Sequence, residues 1–178
     1  MAESAMIGVL MPSPIGHALT GVAVGWTGGL SDSPRDQRLL LVCLFLAAAP
    51  DLDLLLPGAH RSATHSVTAM LLVTIVTAAV TGQVTRWRTA LLCGLSYGSH
   101  LLLDWLSADN YPPRGIQLLW PFGDRWFISD LDLFRQTARQ QFLTAPIIRQ
   151  NLVAVAQEVA ILLPVLALIW WARRRSGN

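Results

Sequence analysis

LLLVCLFLAAAPDLDLLLP, residues 39–57, has the length of a membrane-crossing helix but is interrupted by Pro50, Asp51 and Asp53. Roughly 20 apolar residues, at about 1.5 Å each, cross the hydrocarbon of a bilayer. The stretch reaches that length only if its carboxylates lie near an interface or face the interior of a helical bundle. Four other apolar segments pose the same question: 17–30, short and glycine-rich; 66–84, uncharged; 89–106, carrying His100 and Asp104; and 152–172, ending at Arg173–Arg175. Segments 66–84 and 152–172 reach spanning length, and the first is marginal. Period-2 alternation is absent, and in lipid only helices or closed barrels satisfy their own backbones. The expectation is all-α: a polytopic membrane bundle of four or five embedded helices, one domain over 1–178.

Composition agrees with a membrane setting. Of the 178 residues 53% are hydrophobic and only 13% charged, with a mean hydropathy of +0.46, whereas soluble domains carry about 25% charged residues. All thirteen basic residues are arginine and the net charge is +2, so the basic face of a nucleic-acid binder is missing. Cys43 and Cys93 sit in apolar runs without ligand spacing and read as small buried hydrophobes. Residues 1–11 lack a basic leader region and read as a flexible N-terminus, with Met6 or Met11 as possible starts. Residues 107–150 mix aromatics, prolines and charges, as an interfacial segment does. Trp120 and Trp126 suit headgroup depth, and a short amphipathic helix over 130–142 would bring Leu131, Phe134 and Ala138 to one side.

Threading the helices alternately up and down sorts the polar residues. His17, Asp51, Asp53, His60, His65, His100 and Asp104 collect at one end, among them all four histidines of the chain. Arg35, Arg38, Arg86, Arg88 and Arg173–Arg175 collect at the other. The positive-inside rule makes the arginine end, and the C-terminus, cytoplasmic, with the His/Asp end facing outward. His100 and Asp104 are i and i+4, on one face of a helix. PDLD offers two carboxylates where a proline disturbs the helix. Imidazole with carboxylate oxygen suits zinc, manganese or iron. Blander readings stand beside these. His17 or His60 alone is more often an interfacial or capping residue, and Ser62, Thr64 or Ser66 can cap the helix that follows. Asp51 and Asp53 can pair Arg61, and His100 can pair Asp104. Glu158 reads as a buried acid bonded to another helix, with an extra ligand or the partner of an arginine as the other readings.

SPIGH (13–17), PDLD (50–53), HRSATHS (60–66), GSHLLLDWLS (98–107) and GIQLLWPF (115–122) follow in the order and spacing of the YdjM-like family, which the chain resembles over about residues 12–128. Members are associated with the inner membrane and taken to be metal-dependent hydrolases. The family is distantly similar to zinc phospholipases C and single-strand nucleases, whose clusters also use a helical His-x-x-x-Asp. The resemblance implies hydrolysis of a phosphoester, of a lipid or a small molecule, by metal-activated water. Those relatives' later His-x-x-x-Glu has no counterpart after His100, so one or two divalent ions are expected rather than three. The expected ligands are His17, Asp51, His65, His100 and Asp104. Asp53 and His60 serve as further ligands or in support, with Asp53 the general base if it is not a ligand. Arg61, with Arg125, would stabilise oxyanion charge. Two rivals remain: a metal-free lipid phosphatase with a histidine nucleophile, disfavoured by the absence of lysine, and a membrane scaffold that binds metal without turnover.

Overall fold

The structure, a computed structural model, describes residues 9–10, 12–55, 60–138, 141 and 143–176. Five α-helices build it: α1 Pro14–Thr27, α2 Pro34–Ala48, α3 Val67–Val80, α4 Arg86–Leu106 and α5 Ala145–Ser176. Two short 3-10 helices, Ala49–Leu55 and Ala63–His65, lie between α2 and α3. A two-stranded antiparallel ribbon joins β1 Val9–Leu10 to β2 Thr137–Ala138.

The helix starts follow from local chemistry. Ser13 and Ser33 cap α1 and α2 by accepting the N–H of Gly16 and Asp36, each with proline at the head of the helix, where its missing N–H costs nothing. Ser66, among the caps considered for the third helix, caps α3 through Ala69. Helices α1 and α2 pack together, as do α3 and α4, with α4 also against α1 and α2. One apolar nucleus joins Leu30, Cys43 and Leu92; another joins Leu101 to Ile116. Both cysteines are buried.

The polytopic bundle is not what forms. Among the described residues one helix, Ala145–Arg175, is long and apolar enough to cross a membrane. Helices α1, α2 and α3 have 14, 15 and 14 residues, about 21–23 Å at 1.5 Å per residue, short of a hydrocarbon core of about 30 Å. The opening stretch shows why the count of apolar letters misleads. Helix α2 ends at Ala48, and the seven residues from Ala49 to Leu55 tighten into a 3-10 helix around Pro50. Helix α4 is longer, at 21 residues, but carries Arg86, Arg88, His100 and Asp104. The multi-pass topology therefore gives way to one candidate span. Helices α2, α3 and α4 still expose a broad apolar face, with Leu41, Phe45, Leu72, Ile75 and Leu95 all more than half exposed. Surfaces of this kind meet membranes or partners.

The segment before α5 is irregular rather than helical. Bridges Ser107–Phe134 and Ile116–Phe127 hold it, and the amphipathic helix expected over 130–142 does not form among the described residues. Phe134 and Ala138 are buried while Leu131 is exposed, because the chain docks by backbone pairing instead of by a helical face. Asn151 of α5 accepts the Ala138 N–H at 2.7 Å and donates to its carbonyl at 2.8 Å. Helix α5 itself begins at Ala145, inside the interval read as interfacial. Of the N-terminus expected to be flexible, Val9–Leu10 is paired strand, and the rest of 1–11 lies outside the described residues.

Candidate metal centre

Four elements deliver the polar cluster. His17 stands in the first turn of α1, Asp51 and Asp53 in the 3-10 helix after α2, His65 at the end of the second 3-10 helix, and His100 and Asp104 one turn apart on α4. His17, His65, His100 and Asp104 are almost wholly buried. Asp51 keeps 12% of its side chain exposed.

The Nε2 atoms of His65 and His100 stand 3.1 Å apart. Asp104 Oδ2 lies 3.3 Å from both, and Asp104 Oδ1 lies 3.4 Å from His17 Nε2. Asp51 Oδ1 is 3.7 Å from His65 Nε2 and 3.6 Å from His100 Nε2. The rings of His17 and His100 stack with centroids 3.7 Å apart.

Hydrogen bonds on the far sides fix the tautomers. His100 Nδ1 lies 2.8 Å from the Ala47 carbonyl. That carbonyl only accepts, so Nδ1 carries the proton and Nε2 turns a lone pair inward. His65 Nδ1 faces Asp53 Oδ2 at 3.2 Å and Thr64 Oγ1 at 3.0 Å. Thr64 donates its own proton to Asp53, leaving its oxygen to accept from His65. Two neutral imidazoles then point lone pairs at each other across 3.1 Å, an arrangement that requires a cation, H⁺ or a metal, between them.

A metal fits. Zinc–nitrogen bonds of 2.0–2.1 Å imply edges of about 3.3–3.4 Å in a tetrahedron of donors, and the inter-donor distances of 3.1–3.7 Å bracket that value. Both ring nitrogens of His17, Oδ2 of Asp51 and Oδ1 of Asp104 are buried without a hydrogen-bond partner, which native structures rarely tolerate. The donor groups His17–Asp51–His100, His65–His100–Asp104 and Asp51–His60–His65 each gather ligand atoms within 4.8 Å.

The electrostatics of the metal-free cluster are those of competing burial and pairing. Burial, with His100 beside it, pushes His17 below its ordinary value. Burial also lowers His65, but hydrogen bonds that it donates to Asp51 and Asp53 prevail and raise it to about 9. Asp104 would be raised by burial, yet His100 and His17 hold it well below the carboxylate range.

Asp53 stands behind the donors. Its Oδ1 meets His60 Nδ1 at 2.7 Å, and its Oδ2 meets His65, Thr64 and, at 3.3 Å, the Arg61 N–H. These partners hold it below the carboxylate range against the effect of burial. His60 keeps a buried Nε2 without a partner. Arg61 gives its guanidinium to Asp109 at 2.7 Å and adopts φ +66°, a left-handed conformation that turns the chain between His60 and the second 3-10 helix. Arg125 lies over the ring of Phe127.

No spacing in the sequence singles out Asp109, which also accepts the N–H groups of Gly115 and Tyr111. Ala47 and Thr64 are equally silent, because the one acts through its backbone and the other as a hydroxyl in a capping-like stretch. A buried acid inside an apolar helix did mark Glu158, which bonds Ser13 of α1. Asp51 borders a groove of about 260 Å³ lined by Pro14, Phe45, Ala48, Ala49, Leu52 and Leu54.

A family model described as YdjM inner membrane protein matches residues 11–176. The chain belongs to that family. The match extends the motif resemblance, which ended near residue 128, through α5. No curated protein and no solved structure matches the chain. It is thus a YdjM-family membrane protein with a buried His/Asp cluster whose geometry suits a metal ion.

Proposed function

We propose that this YdjM-family protein is a metal-dependent hydrolase of a phosphoester carried by a membrane lipid. The observation that carries the reading is the convergence of three imidazole Nε2 atoms and two carboxylates at metal-edge distances, with their outward nitrogens and oxygens either fixed or unpartnered. His17, His65, His100, Asp51 and Asp104 would hold the ion, zinc before manganese or iron. When bound, such an ion acidifies water toward neutrality and offsets phosphoryl charge.

The remaining roles belong to the protein's own groups. Asp53 orients His65 and His60 through their Nδ1 atoms, as carboxylates behind histidine ligands do. His60, with Nε2 unpartnered and 23% of its side chain exposed, accepts and returns a proton at that atom. Arg61, engaged by Asp109, holds the turn that presents His60. The groove beside Asp51 is apolar and continuous with exposed Phe45 and Leu52, a surface suited to an acyl chain. Trp170 and Trp171, covered by Arg174 and Arg175 at 4.0 and 3.8 Å, suit an interface anchor with the C-terminus in the cytoplasm.

The test is elemental analysis of the purified protein with turnover of phospholipid and soluble phosphodiester substrates, with and without chelator. Bound metal, chelator-sensitive cleavage of the lipid and loss of both in His100→Ala and Asp104→Ala are expected. Metal without turnover would leave a binding scaffold, and metal-free, chelator-insensitive cleavage would reveal a histidine-nucleophile phosphatase. Preference for the soluble ester would remove the lipid from the reading.

A further inference from the structure

Glu158 sits midway along α5, wholly buried, and has no part in the function proposed above. A carboxylate in an apolar helix persists only where its oxygens are satisfied, and here α1 satisfies them. Oε1 accepts the backbone N–H of Ser13 at 2.7 Å, and Oε2 accepts the Ser13 hydroxyl. By taking that proton, Glu158 leaves the hydroxyl oxygen to accept the N–H of Gly16 at 3.2 Å. The Ser13 carbonyl accepts the N–H of His17 at 3.1 Å. The first turn of α1 therefore hangs on one carboxylate, whose charge also suits the positive end of the helix.

Two further observations point from this clamp to His17. A Cβ at Gly16 would stand 2.7 Å from Glu158 Oε2 and 3.1 Å from its carboxyl carbon, so the absence of a side chain beside His17 is what lets the carboxylate approach. The three central histidines also differ in what orients them. His100 is fixed by Ala47 and His65 by Asp53 and Thr64, but Nδ1 of His17 has no hydrogen-bond partner. Apart from its stacking on His100 and the approach of Asp104 Oδ1 to its Nε2 at 3.4 Å, the ring of His17 takes its position from its backbone.

We propose that Glu158 is a positioning residue of the metal centre, holding the first turn of α1 so that His17 meets the other donors. The inference rests on the metal reading. It makes the helix suited to crossing the membrane a structural part of the centre.

The experiment compares zinc affinity, by competition with a chromophoric chelator, in detergent-purified wild type, Glu158→Gln, His17→Ala and the double variant, with circular dichroism of each. Glu158→Gln keeps the shape but replaces one acceptor by a donor, and should weaken zinc roughly 10–100-fold, as loss of a residue supporting a ligand does. If Glu158 acts through His17, the double variant binds no more weakly than His17→Ala. A Glu158→Gln affinity equal to wild type, or losses that multiply in the double variant, overturns the inference and leaves the metal reading standing. A wild type that takes up no zinc, manganese or iron defeats both. Should Glu158→Gln fail to fold, Ser13→Ala decides: it removes only the hydroxyl relay, and its loss must likewise vanish in a His17→Ala background.

Discussion

At Gly21 α1 lies directly against the backbone of α2, and replacing it by alanine gives a quantitative test of the fold and the centre together. Its added Cβ would stand 2.6 Å from the Cys43 carbonyl oxygen, 2.8 Å from Leu44 Cα and 3.0 Å from Ala47 Cβ. Ordinary contact begins near 3.4 Å, so the helices must part by about 0.8 Å. Alanine in a helix interior gains up to about 1 kcal/mol over glycine in propensity. Overpacking costs about 1–3 kcal/mol, and here the opposing atoms are mostly backbone and cannot rotate away, so the clash wins. With the clash at about 2–3 kcal/mol against a rigid backbone, about 1–2 kcal/mol is left after the alanine gain, and the expected outcome is a fall in Tm of about 2–8 °C, taking about 2–4 °C per kcal/mol for a chain of this size. The same displacement reaches the centre. His17 lies one turn before Gly21, and Ala47 supplies the carbonyl that fixes His100. Metal sites tolerate about 0.2 Å, so zinc affinity should fall with Tm. Thermal melts and chelator competition on Gly21→Ala measure both, with Gly82→Ala, whose Cβ meets nothing within 4 Å, as control. A Gly21→Ala protein as stable as wild type, with unchanged zinc, would refute the packing argument.

Further outcomes follow from the same geometry. Asp53→Asn should weaken zinc roughly 10–100-fold while leaving the metal stoichiometry unchanged; full retention of affinity would remove Asp53 from support of His65. Asp109→Ala removes the carboxylate that the buried Arg61 guanidinium meets at 2.7 Å, and denaturant unfolding should register a loss of about 3–5 kcal/mol, whereas an apolar replacement of both partners should recover much of it. In the metal-free protein His65 is raised from its ordinary 6.5 to about 9. Its contribution to stability is then fully present below pH 6.5 and lost as the pH rises through 9. Denaturant midpoints from pH 6 to about 9.5 should decline in wild type more than in His65→Gln; parallel curves would contradict the shift.

The helices and the cluster were legible for different reasons. Apolar runs mark α1 and α2, although both helices begin ahead of those runs, at Ser13–Pro14 and Ser33–Pro34, and the uncharged run from Ser66 marks α3. The four histidines and the acids of PDLD and His-x-x-x-Asp are few enough, in so apolar a chain, that their shared end could be read by alternating helix direction. Membrane crossing was not legible that way. Hydropathy counts Leu54 and Leu55 as a continuation of α2, although Pro50 has already ended it. It also treats α4 as apolar although arginines open it and an Asp/His pair lines its far end. The irregular segment after α4 escaped because its partners are backbone groups and a single acid. Arg61 meets Asp109 across 48 residues, and neither residue shows a periodic pattern that announces the pairing.

The clamp between Ser13 and Glu158 joins residues 145 positions apart. Loop closure over such a distance comes late in assembly. During synthesis His17 emerges long before the residue that secures its turn, and α1 to α4 can gather while that turn is still loosely held. Completion of the centre is thereby tied to delivery of the last helix. A chain cut short before α5, even one retaining all four histidines, would lack the carboxylate that holds Ser13 and the first turn of α1.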